Sequence, residues 1–403
     1  MQNKLLVAAF FGILACGGSG MGQDIRRALP VYPPQPTVAP QIRRAVPVYP
    51  LATPPPSANP LPTASVNDTA HFLAGLPIPE TSPLFPATRN PEWQRHAAFF
   101  NQMWTRLSAT QFSGIRNWEA SYLPEANAAL PVAFYLFSGP DFLYAHQFFP
   151  HASTYILAGT EPIGPLPDVS RLTTATLGPA LDNFEKALNS VLSFSFFITK
   201  DMKTDLQRDE LRGTLPIFYV FLARAGKTIT DVTFVALDKN GNPQISSANS
   251  KGLIPGVRLT FTGPPDNQPQ TLYYFTTDLS DDGIHTHPGF MKFCSQQGLG
   301  YSLLKSASYL MFEPGFAAVR NFLLTHSKAL IQDDSGIPVA DFNPTQWNLR
   351  FFGAYDGPID IFKQHYQPQL AALYRSSHPP LLPFGIGYRW QRSQSTLLLA
   401  IHK

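Results

Sequence analysis

PVAFYLFSGPDFLYAHQFFPHASTYILAGTEPIG, residues Pro131 to Gly164, decides the fold. Val132 to Phe137 is an apolar run of strand length. Phe142 to Phe149 is amphipathic and reads as a short helix. A second apolar run, Thr154 to Ala158, ends at Gly159 and is followed by Glu161. Strand, helix, strand over this length is a βαβ unit if the strands are parallel neighbours. Ser138-Gly139-Pro140-Asp141 between the first strand and the helix reads as a capping box, with Ser138 at the N-cap and Asp141 three positions on. The same residues stand where an α/β sheet takes its ligands, at the carboxyl ends of its strands.

A second stretch echoes the first. Tyr301 to Met311 begins as a strand, Glu313-Pro314 opens a helix from Phe316 to His326, and Lys328 to Ile331 is apolar and short. Gln332-Asp333-Asp334-Ser335-Gly336 then turns the chain. Between the two units, Thr214 to Arg224 fits either strand or helix. Thr228 to Leu237, Val257 to Thr262 and Thr271 to Thr276 alternate in polarity and read as antiparallel strands. The C-terminal runs Trp347 to Phe352, Tyr388 to Trp390 and Thr396 to Ile401 read as closing strands. The expected fold is therefore α/β: a mixed, mainly parallel central sheet with flanking helices and antiparallel additions. It occupies residues 89–403 and suggests two similar halves.

Ahead of it lies a different kind of sequence. Lys4, an apolar core from Leu5 to Ala15 and then Cys16-Gly-Gly form a secretion signal. The apolar run is about 11 residues, against about 20 needed to span a bilayer. Ile13-Leu-Ala-Cys16 resembles the bacterial lipoprotein cleavage box, which implies a lipid on Cys16 and a membrane-anchored protein facing the periplasm or cell surface. Plain secretion is the alternative. Residues 16–88 read as a disordered, Pro-rich tether, because proline removes amide donors and favours extended backbone. Ile25-Arg-Arg-Ala-Leu-Pro-Val-Tyr-Pro33 recurs as Ile42-Arg-Arg-Ala-Val-Pro-Val-Tyr-Pro50. The repeated segment is a spacer or a docking motif for an envelope protein.

Of the chain's 403 residues, 14% are charged, against about 25% in ordinary domains, and Phe and Tyr number 31 and 15. The aromatics serve a core or a carbohydrate-like ligand surface. A net charge of +3 with no basic helix argues against nucleic acid as a partner. With Cys16 lipidated, Cys294 is the remaining cysteine and is expected to be buried.

Paired carboxylates in different environments supply acid and base roles. Asp333 and Asp334, with Asp141, Glu161 and Lys305, are the catalytic candidates; Lys305 is expected to pair with Asp333, Asp334 or Glu313. Ser138, Ser335, Tyr388 and Trp390 are candidate ligand contacts. His285 and His287, spaced to share one side of a strand, form with Asp278 a candidate divalent-metal set. No other cofactor is expected, since neither the dinucleotide fingerprint nor G-x-S-x-G is present. His146 and His151 read as surface or capping residues. The favoured function is an envelope hydrolase or transferase acting on a glycan or other envelope substrate, such as a polysaccharide. A noncatalytic envelope-binding lipoprotein and a cofactor-dependent α/β enzyme are the alternatives.

Overall fold

Ten strands form one sheet in the computed structural model, which describes residues 64–124, 131–197, 211–246 and 252–403. In chain order they are β1 (Val132–Tyr135), β2 (Thr154–Gly159), β3 (Thr228–Leu237), β4 (Pro243–Ile245), β5 (Ile254–Thr262), β6 (Gln270–Thr276), β7 (Gly300–Leu304), β8 (Ser327–Gln332), β9 (Trp347–Gly353) and β10 (Thr396–His402). Across the sheet the order is β4-β3-β5-β6-β2-β1-β7-β8-β10-β9. The five middle strands, β6 to β8, are parallel. Antiparallel strands extend both edges.

The described helices are α1 (Val66–Leu73), α2 (Pro91–Leu107), α3 (Ser113–Tyr122), α4 (Phe142–Phe148), α5 (Thr174–Phe194), α6 (Leu215–Arg224), α7 (Asp281–Thr286), α8 (Gly289–Gln296), α9 (Ala317–His326) and α10 (Pro368–Ser377). Alternate residues of the central strands feed two cores. Ala133, Tyr135, Tyr155 and Leu303 pack with α1 to α6. Phe134, Ile156, Leu304 and Leu330 pack with α8 and α9. Burial on both faces explains why these strands read as unbroken apolar runs.

The two βαβ units adjoin through β1 and β7. From β1 the chain steps one way to β2, with α4 on one face. From β7 it steps the other way to β8, with α9 on the other face. Right-handed crossovers running in opposite directions require opposite faces. The carboxyl ends of β1 and β7 are therefore the topological switch point, the position at which α/β proteins bind ligands.

Several expectations change. Asp141, not Ser138, caps α4: its carboxylate accepts from the Tyr144 amide at 3.1 Å. Gly139, at φ 53°, and Pro140 turn the chain before the helix can start. β6 pairs antiparallel with β5, as expected, but also parallel with β2, so it belongs to the parallel core as well. Tyr388 to Trp390 is a turn, not a strand. The folded body begins earlier than residue 89. Phe72 and Leu73 are buried, the Asn67 side chain bonds both the N–H and C=O of Ile229, and the Trp93 indole donates to the Phe72 carbonyl. Lys200 to Leu211, a charged and helix-like sequence, lies outside the described residues apart from Leu211, as do Cys16 and the repeated nonapeptide.

Candidate functional site

Four strand ends supply the polar residues at the switch point: Ser138 to Asp141 after β1, Thr160-Glu161 after β2, Lys305 to Tyr309 after β7 and Asp333 to Ser335 after β8. Lys305 Nζ lies 3.0 Å from Asp141 Oδ2, and both side chains are about 2% exposed or less. The ammonium also donates to the Ser195 carbonyl and sits 4.3 Å from the centre of the Tyr144 ring. A buried ammonium needs such compensation. The Tyr135 hydroxyl donates to Asp141 Oδ2 at 3.1 Å. Burial, then the Asp141 charge, push the Tyr135 and Tyr144 phenols well up, so both remain donors. The expected Lys305 partners, Asp333, Asp334 and Glu313, give way to Asp141, which neighbouring-strand geometry places closer.

Asp333 is a clamp. Its carboxylate accepts from the Ser306 amide at 2.9 Å, the Ser335 amide at 3.0 Å and the Ser335 hydroxyl at 2.5 Å. The Ser335 oxygen in turn accepts from the Ala307 amide at 2.8 Å. These bonds hold a strained turn: Ser306, Ser308 and Tyr309 have φ of 53°, 53° and 55°. Non-glycine residues pay about 1–3 kcal/mol each for such backbone, and clusters of them mark functional sites. The Tyr388 hydroxyl donates to the Ser306 carbonyl at 3.0 Å and lies 2.9 Å from Ser308 Oγ. Ser306 Oγ is buried, with no hydrogen-bond partner among the described residues. Gly387, at φ 73°, is forced as well, since a Cβ there would lie 2.1 Å from Asp333 Oδ2.

Asp334 differs from its neighbour. Its Oδ2 accepts one side-chain bond, from the Tyr309 hydroxyl at 2.6 Å. Burial first, and the adjacent Asp333 charge second, raise its carboxyl to about 7. Tyr309 is itself buried, and half-buried rings pack on it. Tyr309 stacks on His365 at 5.0 Å and on Tyr388 at 6.4 Å, and packs on Phe362 at 4.9 Å. Phe196 meets Tyr388, and Phe194 meets Trp390. Such a surface suits the flat faces of sugar rings or other apolar groups.

Asp141, Lys305, Asp333 and Asp334 thus share one edge of the sheet, with Glu161 on the far side of the β1 turn. A Cβ on Gly139 or Gly159 would meet the Glu161 carboxylate, at 3.4 and 2.3 Å. The Tyr274 and Thr276 hydroxyls hold the Glu161 carbonyl at 2.9 and 2.8 Å. Ser138 Oγ donates to the Gly139 carbonyl at 2.7 Å and is buried.

Asp278, His285 and His287 do not form a metal set. The segment is helical rather than extended, so His285 lies on α7 and His287 is its C-cap. Asp278 accepts from the Ser280 amide at 2.9 Å. Among the described residues, no group of three His, Cys, Asp or Glu side chains is placed to hold a metal ion. Asp278 and His287 instead line a cleft of about 250 Å³ with Thr160, Thr276, Thr277 and Ile254.

His146 is not a surface residue. It is buried against Phe142 and Tyr155, neither ring nitrogen has a hydrogen-bond partner among the described residues, and burial lowers its pKa to about 3. His151 lies nearer the surface, 2.5 Å from Asp266. Cys294 is fully buried, and burial pushes its thiol up, away from a nucleophilic role.

No protein-family model matches the chain, and no curated protein or solved structure is significantly similar to it.

Proposed function

We propose that the chain is an exported, lipid-anchored hydrolase or transferase that acts on an envelope glycan, with Asp334 as its proton-handling group. The observation that supports this reading is the placement of Asp334: a buried carboxyl beside Asp333, raised to about 7 and bonded by the hydroxyl of Tyr309, on whose ring His365, Phe362 and Tyr388 pack. A group that titrates near neutrality exchanges protons efficiently in either direction. The half-buried rings of Phe362, His365 and Tyr388 offer faces for a pyranose, and the strained turn at Ser306 to Tyr309 holds Asp334 in a fixed frame through the Tyr309 hydroxyl. Asp333, Lys305 and Asp141 act as positioning residues, because their charges are engaged in the frame itself.

A noncatalytic binding protein needs the aromatic surface but has no use for a carboxyl raised in this way. A nucleotide-dependent enzyme would fit the strand order, since β6-β2-β1-β7-β8 is the doubly wound sequence of strands. Its phosphates, however, would meet Asp141, Asp333 and Asp334. Lys305 is engaged by Asp141, and Arg389 donates to the Gly357 and Pro358 carbonyls.

The test is turnover of a panel of envelope glycans and model esters by the purified protein, compared with Asp334→Asn. General acid–base catalysis contributes about 100- to 10,000-fold, so the variant should lose at least about 100-fold in kcat at unchanged fold. Unchanged turnover in Asp334→Asn would remove the assignment.

A further inference from the structure

The cleft beside Asp278 and His287 is not used by the chemistry above. It opens at the carboxyl ends of β2 and β6 and the start of β5, on the same edge of the sheet as Asp334. Its lining includes three threonines, Thr160, Thr276 and Thr277, together with Asp278 and His287. Ile254 and its neighbour Pro255 supply an apolar wall. Neither Lys nor Arg lines it, so it is a poor place for phosphate or another anion. Hydroxyls beside a carboxylate and an apolar wall match the alternating polar rim and apolar face of a sugar ring. At about 250 Å³ the cleft is smaller than the roughly 300–1,000 Å³ of sites that enclose drug-sized ligands. It has room for a single ring.

The walls are held in place. Thr276 Oγ1 and the Tyr274 hydroxyl both donate to the Glu161 carbonyl, and the Thr277 amide donates to the Gly159 carbonyl at 2.9 Å. The lining is therefore tied to the end of β2 and, through the packing of Glu161 on Gly139, to the turn after β1. Four interstrand steps of about 4.8 Å separate β6 from β8, which sets this cleft about 19 Å along the sheet edge from the end of β8 that carries Asp334. That span exceeds one sugar ring and matches several linked ones.

We infer that the cleft is a distal sugar subsite, and that the substrate is an oligosaccharide lying along the carboxyl edge of the sheet from Thr277 to Asp334. The inference rests on the glycan reading and adds a length requirement to it. The experiment is a ladder of chito-oligosaccharides, from disaccharide to hexasaccharide, given to the purified protein and to Thr277→Trp, which fills the cleft. Turnover per encounter, kcat/KM, should climb by about 10-fold or more along the ladder, equivalent to about 1.4 kcal/mol of added binding. Thr277→Trp should flatten that climb. His287→Ala, at an exposed position, serves as the second variant should the Trp side chain disturb folding.

If the protein is active but kcat/KM does not depend on length, the subsite is overturned and the role of Asp334 stands. If nothing on the ladder turns over, the subsite is read directly from His287 imidazole chemical shifts during titration with the hexasaccharide. A shift abolished by Thr277→Trp supports the subsite without the catalytic reading; no shift overturns it.

Discussion

Replacing Asp141 by Asn keeps the shape of the side chain and removes its charge. Asn Oδ1 can still accept from the Tyr144 amide, so the cap on α4 is retained. What is lost is the partner of a Lys305 ammonium that is about 2% exposed. Only the Ser195 carbonyl and the Tyr144 ring face then remain as described contacts of that ammonium. Breaking a buried ion pair from one side costs about 3–5 kcal/mol. With an unfolding entropy of about 2.1 cal/mol/K per residue, the roughly 340 residues from 64 to 403 give about 0.7 kcal/mol/K, so Tm should fall by about 4–7 °C. Circular dichroism or differential scanning fluorimetry reads this directly. The double variant Asp141→Asn/Lys305→Met removes both charges and should recover most of the loss, since apolar replacement of a buried pair is often neutral. A single variant within about 1 °C of the parent, or a double variant less stable than the single, would refute the view that each charge depends on the other.

Other expectations follow from the same geometry. Asp334 has its folded pKa raised to about 7 from an ordinary 3.8, so its contribution to stability is complete below about pH 3.8 and is lost as pH rises towards 7. Asp334→Asn should therefore lose less stability than the parent between pH 4 and 7, by up to about 4 kcal/mol at 1.36 kcal/mol per unit, measured by urea melts across that range. His146 behaves in the opposite sense. Its folded pKa is lowered to about 3, so its contribution is present above about 6.5 and is lost as pH falls towards 3. His146→Leu should blunt the acid sensitivity and, by removing two unpartnered nitrogens, leave Tm at neutral pH unchanged or higher. Gly387→Ala would bring a Cβ within 2.1 Å of Asp333 at φ 73°. It should destabilise by more than about 1 kcal/mol and reduce any turnover by disturbing the Ser306 turn; equal stability and activity would count against the clamp.

Much of the architecture was legible because local signals agreed with one another. Val132 to Phe137 and Thr154 to Ala158 are apolar throughout, as strands buried on both faces must be. Asn90-Pro91-Glu92 opens α2 as its residue types dictate, with Asn90 accepting from the Glu92 amide. The same logic failed at β6. Its alternating pattern suits an antiparallel strand, yet tertiary pairing sets β2 on one side of it and β5 on the other.

The candidate site was legible as a set of residues and illegible as a set of roles. Sequence could mark Asp141, Lys305, Asp333 and Asp334 as polar groups at strand ends. It could not show that Asp141 neutralises Lys305 across the β1–β7 junction, because their separation of 164 residues carries no local signal. It gave no warning of the left-handed turn either: Ser306, Ser308 and Tyr309 are not residue types that demand positive φ. The stacked partner His365 and the buried His146 were missed for the same reason. Histidine carries little information about burial until its neighbours are known.

Asn67 fixes the start of α1 to Ile229, at the beginning of β3. β3 starts opposite the end of β5, which lies beside Gln270 at the start of β6. The polypeptide therefore enters the folded body along the rim from which the parallel strands depart, whereas Asp334 and the sugar-sized cleft occupy the rim at which they arrive. A bead attached at residue 64 itself is fastened on the rim opposite Asp334 and the cleft, and leaves both clear of the supporting surface.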